Sequence, residues 1–175
     1  MTTLIYKDGL LYGDRRYGVP ANNGVNIYID HPKIHTHESR QVAFGICGDT
    51  KYKGSEGVIG DVILANVIQM AKGNDVDWIP LFNKYLGTSG TLIVITKSTG
   101  FAICMNEDET NYTLVDLDSV PFFTVGSGQN AAVALLATDT DMEKVYPIIS
   151  RVDGMTGYTP DIIKRNRLLK LRVPK

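Results

Sequence analysis

Thr2-Thr3-Leu4-Ile5-Tyr6-Lys7-Asp8-Gly9-Leu10-Leu11-Tyr12-Gly13-Asp14-Arg15-Arg16 is the stretch whose reading decides the fold. Apolar residues on either side of Asp8-Gly9 predict two strands joined by a tight turn, a strong short-range hairpin signal. Two registers are open. A three-residue loop, Lys7-Asp8-Gly9 with Gly9 left-handed, sets Thr2 opposite Asp14; a two-residue Asp8-Gly9 turn sets Thr3 there instead. The first is the chemically interesting one. Removal of Met1, which a small second residue generally allows, leaves Thr2 with a free α-amine beside its own hydroxyl and across from a carboxylate. An N-terminal threonine of that kind can be a nucleophile whose own amine serves as base.

Outward from the hairpin, residues 17–24 carry loop chemistry and residues 25–29 alternate as a strand. Residues 33–37 and 41–47 flank Glu38-Ser39-Arg40 as a second hairpin, which delivers the chain to Gly48. Ile59, Ile63, Val67 and Met70 recur at spacings of four and three, predicting a helix over residues 55–72 that Gly73-Asn74 stops. A shorter helix is expected over 78–86, with Pro80 in its first turn. Residues 91–96 and 100–105 form a third hairpin. Strands over 111–116 and 121–125 follow an acidic loop, Glu107-Asp108-Glu109. Gly126-Ser127-Gly128 then leads into an alanine-rich helix over 129–137. A last helix over 142–151 is capped by Thr140-Asp141, and residues 168–173 read as a terminal edge strand. This order suits an α+β chain with two mainly antiparallel sheets, each covered on its outer face by a helix pair.

Composition narrows the function classes. The 175 residues suit one domain, with 43% hydrophobic and 21% charged residues typical of globular chains. A net charge of -1 argues against a nucleic-acid footprint. No run is long enough to span a bilayer, and no signal peptide is expected at the N-terminus. Cys47 and Cys104 lie in apolar runs and read as reduced core residues of a cytoplasmic protein. Gly126-Ser127-Gly128-Gln129-Asn130-Ala131 fits the loose dinucleotide fingerprint, but no convincing parallel strand or acidic ribose partner stands behind it, so no cofactor is expected. His31, His35 and His37 lack structural-zinc spacing, so no metal is expected either. The basic run from Lys164 to Arg172 reads as an edge strand guarded by charge, or as a docking segment for a neighbouring subunit or acidic partner.

The motifs in this order resemble those of proteasome β-type peptidases, and of their HslV branch in particular. Met1-Thr2-Thr3 before a hydrophobic strand is similar to the family's processed terminus, and Asp14-Arg15-Arg16 to its Asp-x-Arg element. Lys33 stands where the family places its lysine. Gly48 is similar to the glycine whose amide helps form the oxyanion hole, although Asp49 replaces the glycine usual after it. Gly126-Ser127-Gly128 before an alanine-rich helix resembles another hallmark. Asp153-Gly154-Met155-Thr156-Gly157 resembles the Asp-x-x-Ser-Gly element, with Thr156 in place of serine.

The resemblance implies a four-layer α/β/β/α N-terminal-nucleophile hydrolase in a single domain over residues 1–175, cleaving polypeptide through Thr2. It implies that Lys33 and Asp14 act as an ion pair on the Thr2 hydroxyl, and that Gly48 stabilises the oxyanion. Ser127, Asp153 and Thr156 would orient the threonine amine and a water, while Arg16 buttresses the loop. His31, His35 and Ile46 would line the substrate pocket, with a preference for polar or acidic side chains. Self-association into a ring is expected, fed by an unfolding ATPase. Two alternatives stay open: a ring or binding subunit without catalysis, which a retained Met1 and Asp49 favour, and an amidase acting on a small molecule.

Overall fold

The computed structural model describes residues 2–20, 26–48, 54–86, 90–106 and 110–174, with the backbone alone at 19, 20, 26 and 27. The readings placed on Met1, residues 21–25, Asp49 and residues 107–109 lie outside the described residues. β1 (Thr3–Lys7) and β2 (Leu10–Gly13) form the opening hairpin. Asp8 and Gly9 take φ of 51° and 74°, the two left-handed residues that a type I′ turn needs. Lys7 accordingly pairs with Leu10 and Leu4 with Gly13. The register is thus the two-residue one. Asp14 N–H donates to Thr3 O at 3.2 Å, so Thr3 and not Thr2 stands opposite Asp14. The expectation for Thr2 is corrected because aspartate, unlike most side chains, tolerates the left-handed conformation.

The next strands are β3 (Arg16–Pro20), β4 (Asn26–Asp30), β5 (Ile34–Thr36) and β6 (Val42–Cys47). Helices α1 (Glu56–Ala71) and α2 (Ile79–Tyr85) precede β7 (Thr91–Thr96), β8 (Gly100–Met105), β9 (Tyr112–Asp116) and β10 (Phe122–Gly126). Then come α3 (Gln129–Ala137), α4 (Met142–Val152) and β11 (Asp161–Lys164). Asp141 caps α4 by accepting from Glu143 N–H. β10-β1-β2-β11 form one antiparallel sheet, β5-β6-β7-β8-β9 another, and β3-β4 a separate ribbon.

Two segments differ from their sequence reading. Of 17–24, expected as loop, residues 17–20 belong to strand β3 (Arg16–Pro20), paired with β4 from Arg16↔Asp30 to Pro20↔Asn26. Gly18 and Pro20 look like loop residues, but a proline at the end of a two-stranded ribbon forfeits little pairing. The last strand is not 168–173 but β11, whose Ile162 and Ile163 pair with Tyr12 and Leu11 of β2. Beyond a 3-10 turn at Arg165–Arg167, the tail is a strap. Leu168 is buried in the core between the sheets, and Leu169 N–H donates to Arg40 O at 2.8 Å. Arg165 clamps this end by donating to Tyr6 OH, Asp118, Lys97 O and Ser98 O.

Strand alternation builds the layers. On β1, Leu4 and Tyr6 enter the core between the sheets with Ile34, Ala43 and Ile93. Ile5 faces outward, with Tyr12, onto Leu136, Tyr146 and Ile149 of α3 and α4. On β6, Phe44 and Ile46 face α1 and α2 with Ile59, Ile63 and Trp78. The result is an α/β/β/α sandwich. Every residue of β7 is buried, since it is covered by helices on one face and a sheet on the other.

The tightest joint lies at β10. Gly126 has φ of +111°, and a Cβ there would sit 1.6 Å from Thr2 O. A Gly126→Ala chain must both adopt that conformation and displace the segment carrying Thr2. Destabilisation of about 3 kcal/mol or more is expected, read as a lowered denaturation midpoint at unchanged slope. A loss below about 1 kcal/mol would contradict the packing.

Candidate active site

Alternation continued back from Leu4 sets Thr2 on the face of β1 that looks toward the second sheet, and Thr3 on the face toward α3 and α4. Thr2 meets Lys33, in the bend before β5, whose Nζ donates to Thr2 Oγ1 at 2.8 Å. Both residues are buried, Thr2 at 4% and Lys33 at 7% exposure. The ammonium also lies 5.4 Å from the centroid of the Tyr17 ring, a cation–π contact that offsets part of the cost of burying a charge. The sheets can close around this pair because β2 and β6 present glycines there: a Cβ on Gly13 would meet Ile34 Cγ2 at 2.7 Å.

Asp14 is fully buried. Its Oδ1 accepts from Thr3 N–H at 2.7 Å, and its Oδ2 from Arg16 N–H at 3.0 Å and Gly157 N–H at 3.3 Å. Burial pushes its carboxyl above the usual range, opposed by the Thr3 amide, the Lys33 charge and the other two amides. Asp14 thus fixes the start of β1 through Thr3 and supplies a negative field at Lys33. Arg16 binds Gly154 O at 2.7 Å and ties this corner to the Asp153–Gly157 loop.

Around Thr2 O, Ser127 N–H donates at 3.1 Å and Cys47 Sγ lies at 3.7 Å. Burial raises the Cys47 thiol to about 11, so it stays protonated at neutral pH and is no rival nucleophile. Gly48 follows directly, solvent-exposed with φ of +118°. On the other side, Asp153 Oδ2 accepts from Ser127 Oγ at 2.6 Å and Thr156 Oγ1 at 2.5 Å. Partial burial pushes the Asp153 carboxyl up, but the hydrogen bonds from Ser127, Thr156 and the Met155 amide outweigh it and hold the group below the usual carboxylate range.

The structure therefore brings Thr2, Asp14, Lys33, Gly48, Ser127, Asp153 and Thr156 to one corner. His31, His35 and Ile46 lie on its α1 side. His31 Nε2 is 3.9 Å from Glu56 Oε1 and packs edge-on against Tyr17. His35 packs against the Phe44 ring at a tilt, with centroids 5.4 Å apart, and burial lowers its pKa. Ile46 is buried beneath α1 and α2. Thr3, Tyr17, Glu56 and Tyr146 were missed by sequence reasoning. Only Thr3 carried a signal, the doubled threonine; Tyr146 looks like any core aromatic.

A second polar cluster has the residue types of a hydrolytic triad. Ser39 N–H and Oγ lie 3.1 and 2.8 Å from His37 Nδ1, and His37 Nε2 is 2.9 Å from Asp61 Oδ1. Its amides are already committed: Ser39 N–H to Nδ1, Arg40 N–H to His37 O, and Gln41 N–H to Ser39 Oγ. With three of its amides held inside the turn and His37 tied to Asp61, the cluster locks the β5–β6 turn to α1. Among the described residues no group of three His, Cys, Asp or Glu could hold a metal ion, and no helix is long and apolar enough to cross a membrane.

No protein-family model and no curated protein matches the sequence. Solved structures do match. The eukaryotic HslV from Trypanosoma brucei superposes with a TM-score of 0.58 at 15% identity, over 93% of this chain and 97% of that one. BPH from Thiobacillus denitrificans, free and in complex with epoxomicin, gives 0.55 at 12% identity over 98% of both chains. With its layers, sheet order and nearly full-length superposition, the chain has the fold of HslV and the proteasome β-type N-terminal-nucleophile hydrolases.

Proposed function

We propose that the chain is a threonine-type endopeptidase in which Thr2, once Met1 is removed, attacks peptide carbonyls. The observation that carries the reading is the Lys33 ammonium 2.8 Å from the Thr2 hydroxyl, in a buried corner. Thr2 Oγ1 adds to the carbonyl carbon while its proton passes to the α-amine, whose ordinary pKa of about 7.7–8.0 suits a base at neutral pH. The Lys33 charge favours the developing alkoxide. The Gly48 amide receives the tetrahedral oxyanion, an interaction worth about 2.7–4 kcal/mol where such donors have been removed. Collapse expels the amine product, protonated by the Thr2 ammonium, and leaves an ester on Thr2. A water deprotonated by the α-amine then hydrolyses it. Ser127, Asp153 and Thr156 orient the amine and that water; His31, His35 and Ile46 shape the pocket for the substrate side chain. The HslV likeness supports this reading at the level of fold.

Assembly into a cytoplasmic homo-oligomeric ring belongs to the same proposal, with an unfolding ATPase as the feeding partner. Val133, Ile148 and Val152 leave apolar surface exposed on α3 and α4, which suits burial between subunits. Native mass spectrometry is expected to give a closed multimer; a monomer at micromolar concentration would contradict the ring. The non-catalytic reading rests on Asp49, a negative charge next to Gly48 in sequence.

Lys33→Met keeps the length of the side chain and removes the charge. We expect kcat on a fluorogenic peptide to fall by about 100-fold or more with KM nearly unchanged. Turnover within threefold of wild type would reject the assignment of Lys33, and turnover by Thr2→Ala the assignment of Thr2. Asp153 offers a test by pH. Its carboxylate is held below its unfolded pKa, so its contribution to stability is present above about pH 4 and is lost as pH falls through the folded value. The stability lost on Asp153→Asn should shrink as urea titrations move from pH 7 toward pH 3; a pH-independent loss would contradict the hydrogen-bonded carboxylate.

A further inference from the structure

Thr3 lies next to the nucleophile and faces the other way. It is fully buried, and all its polar atoms are committed. Its N–H donates to Asp14 Oδ1 at 2.7 Å. Its carbonyl accepts from Asp14 N–H at 3.2 Å and from Tyr146 OH at 3.1 Å. Its hydroxyl lies 2.9 Å from Gly128 N and 2.6 Å from Thr156 Oγ1. The direction of that last bond follows from counting protons. Ionised Asp153 only accepts, so Thr156 spends its one hydroxyl proton on Asp153 and must accept from Thr3; Thr3 in turn accepts from the Gly128 amide. One polarised chain runs from Gly128 N–H through Thr3 and Thr156 to the Asp153 carboxylate, and such chains strengthen cooperatively.

We propose that Thr3 is a positioning residue for Thr2: its hydroxyl couples the Asp153 carboxylate and the start of α3 to the backbone that carries the nucleophile. The inference rests on the hydrolase reading of the same corner and adds a residue to it. Its physical basis is the pleat. Thr2, just before β1, and Thr3, its first residue, project to opposite sides of the extended backbone, so a rigid hold on the Thr3 side chain fixes the Thr2 hydroxyl against Lys33 without touching substrate. A displacement of about 1 Å can cost on the order of 100-fold in rate. Tyr146 adds a second anchor on the same residue, from α4.

The test compares Thr3→Val, which keeps the shape and removes the hydroxyl, with Thr3→Ser, which keeps the hydroxyl, in protein whose intact mass shows Thr2 as the first residue. Thr3→Val should lower kcat by about tenfold or more with KM within about twofold, and Thr3→Ser should restore most of the loss. NMR titration of the Thr2 α-amine in selectively labelled protein supplies a readout independent of turnover: its midpoint should move by about half a unit or more in Thr3→Val and stay in place in Thr3→Ser. Should Thr3→Val fail to fold, Tyr146→Phe and Thr156→Val are read by the same titration, and each should move it. An unmoved midpoint with wild-type kcat in the folded variants overturns the positioning role. A wild-type protein that turns over no peptide overturns the hydrolase reading instead, and the titration still decides Thr3.

Discussion

The alternation of side chains at Thr3, the first residue of β1, and at Thr2 just before it governs the site. Two threonines stand side by side, and alternation sends one hydroxyl between the sheets and the other toward the helices. The inner one meets a buried ammonium; the outer one is tied into a hydrogen-bonded chain that ends on Asp153. A one-residue slip would exchange the two faces. The Asp8-Gly9 turn, with both residues left-handed, forbids that slip, so a short surface turn at one end of the hairpin sets the chemistry at the other.

Burying Lys33 is expensive unless its charge is answered. The answer is distributed: the Thr2 hydroxyl accepts directly, the Tyr17 face lies within cation–π range, and Asp14 contributes a negative field from a carboxylate that three backbone amides hold in place. Each amide belongs to a different segment, at Thr3, Arg16 and Gly157. Asp14 thus joins β1, the β3–β4 ribbon and the Asp153 loop, and through them sets the distance between Lys33 and the chain end. Gly13 and Gly126 remove the side chains that would prevent that approach.

Much of this was legible in the sequence. The hairpin at 91–105, the helix at 129–137 and the arrangement of two antiparallel sheets under outer helix pairs follow from periodicity, turn residues and element order, and the motif order led to the residues that meet at the corner. The register did not follow, because choosing between two- and three-residue loops depends on whether Asp8 accepts a left-handed φ, and spacing carries no such information. β3 was hidden by Gly18 and Pro20. The last strand was misplaced because Leu168 is an apolar plug between the sheets, with the look of a strand residue and no strand partner. Tyr146 left no trace in sequence; only the packing of α4 on β1 reveals where its hydroxyl goes.

In the function proposed above, the Lys33 ammonium activates the Thr2 hydroxyl it contacts. The most direct measurement incubates the protein with epoxomicin, the compound seen bound to the Thiobacillus protein, and locates any adduct by peptide mass spectrometry. The account predicts a single adduct on Thr2, formed only on chains that have lost Met1 and abolished by Lys33→Met. An adduct elsewhere, or none on protein with a free Thr2 amine, would contradict it.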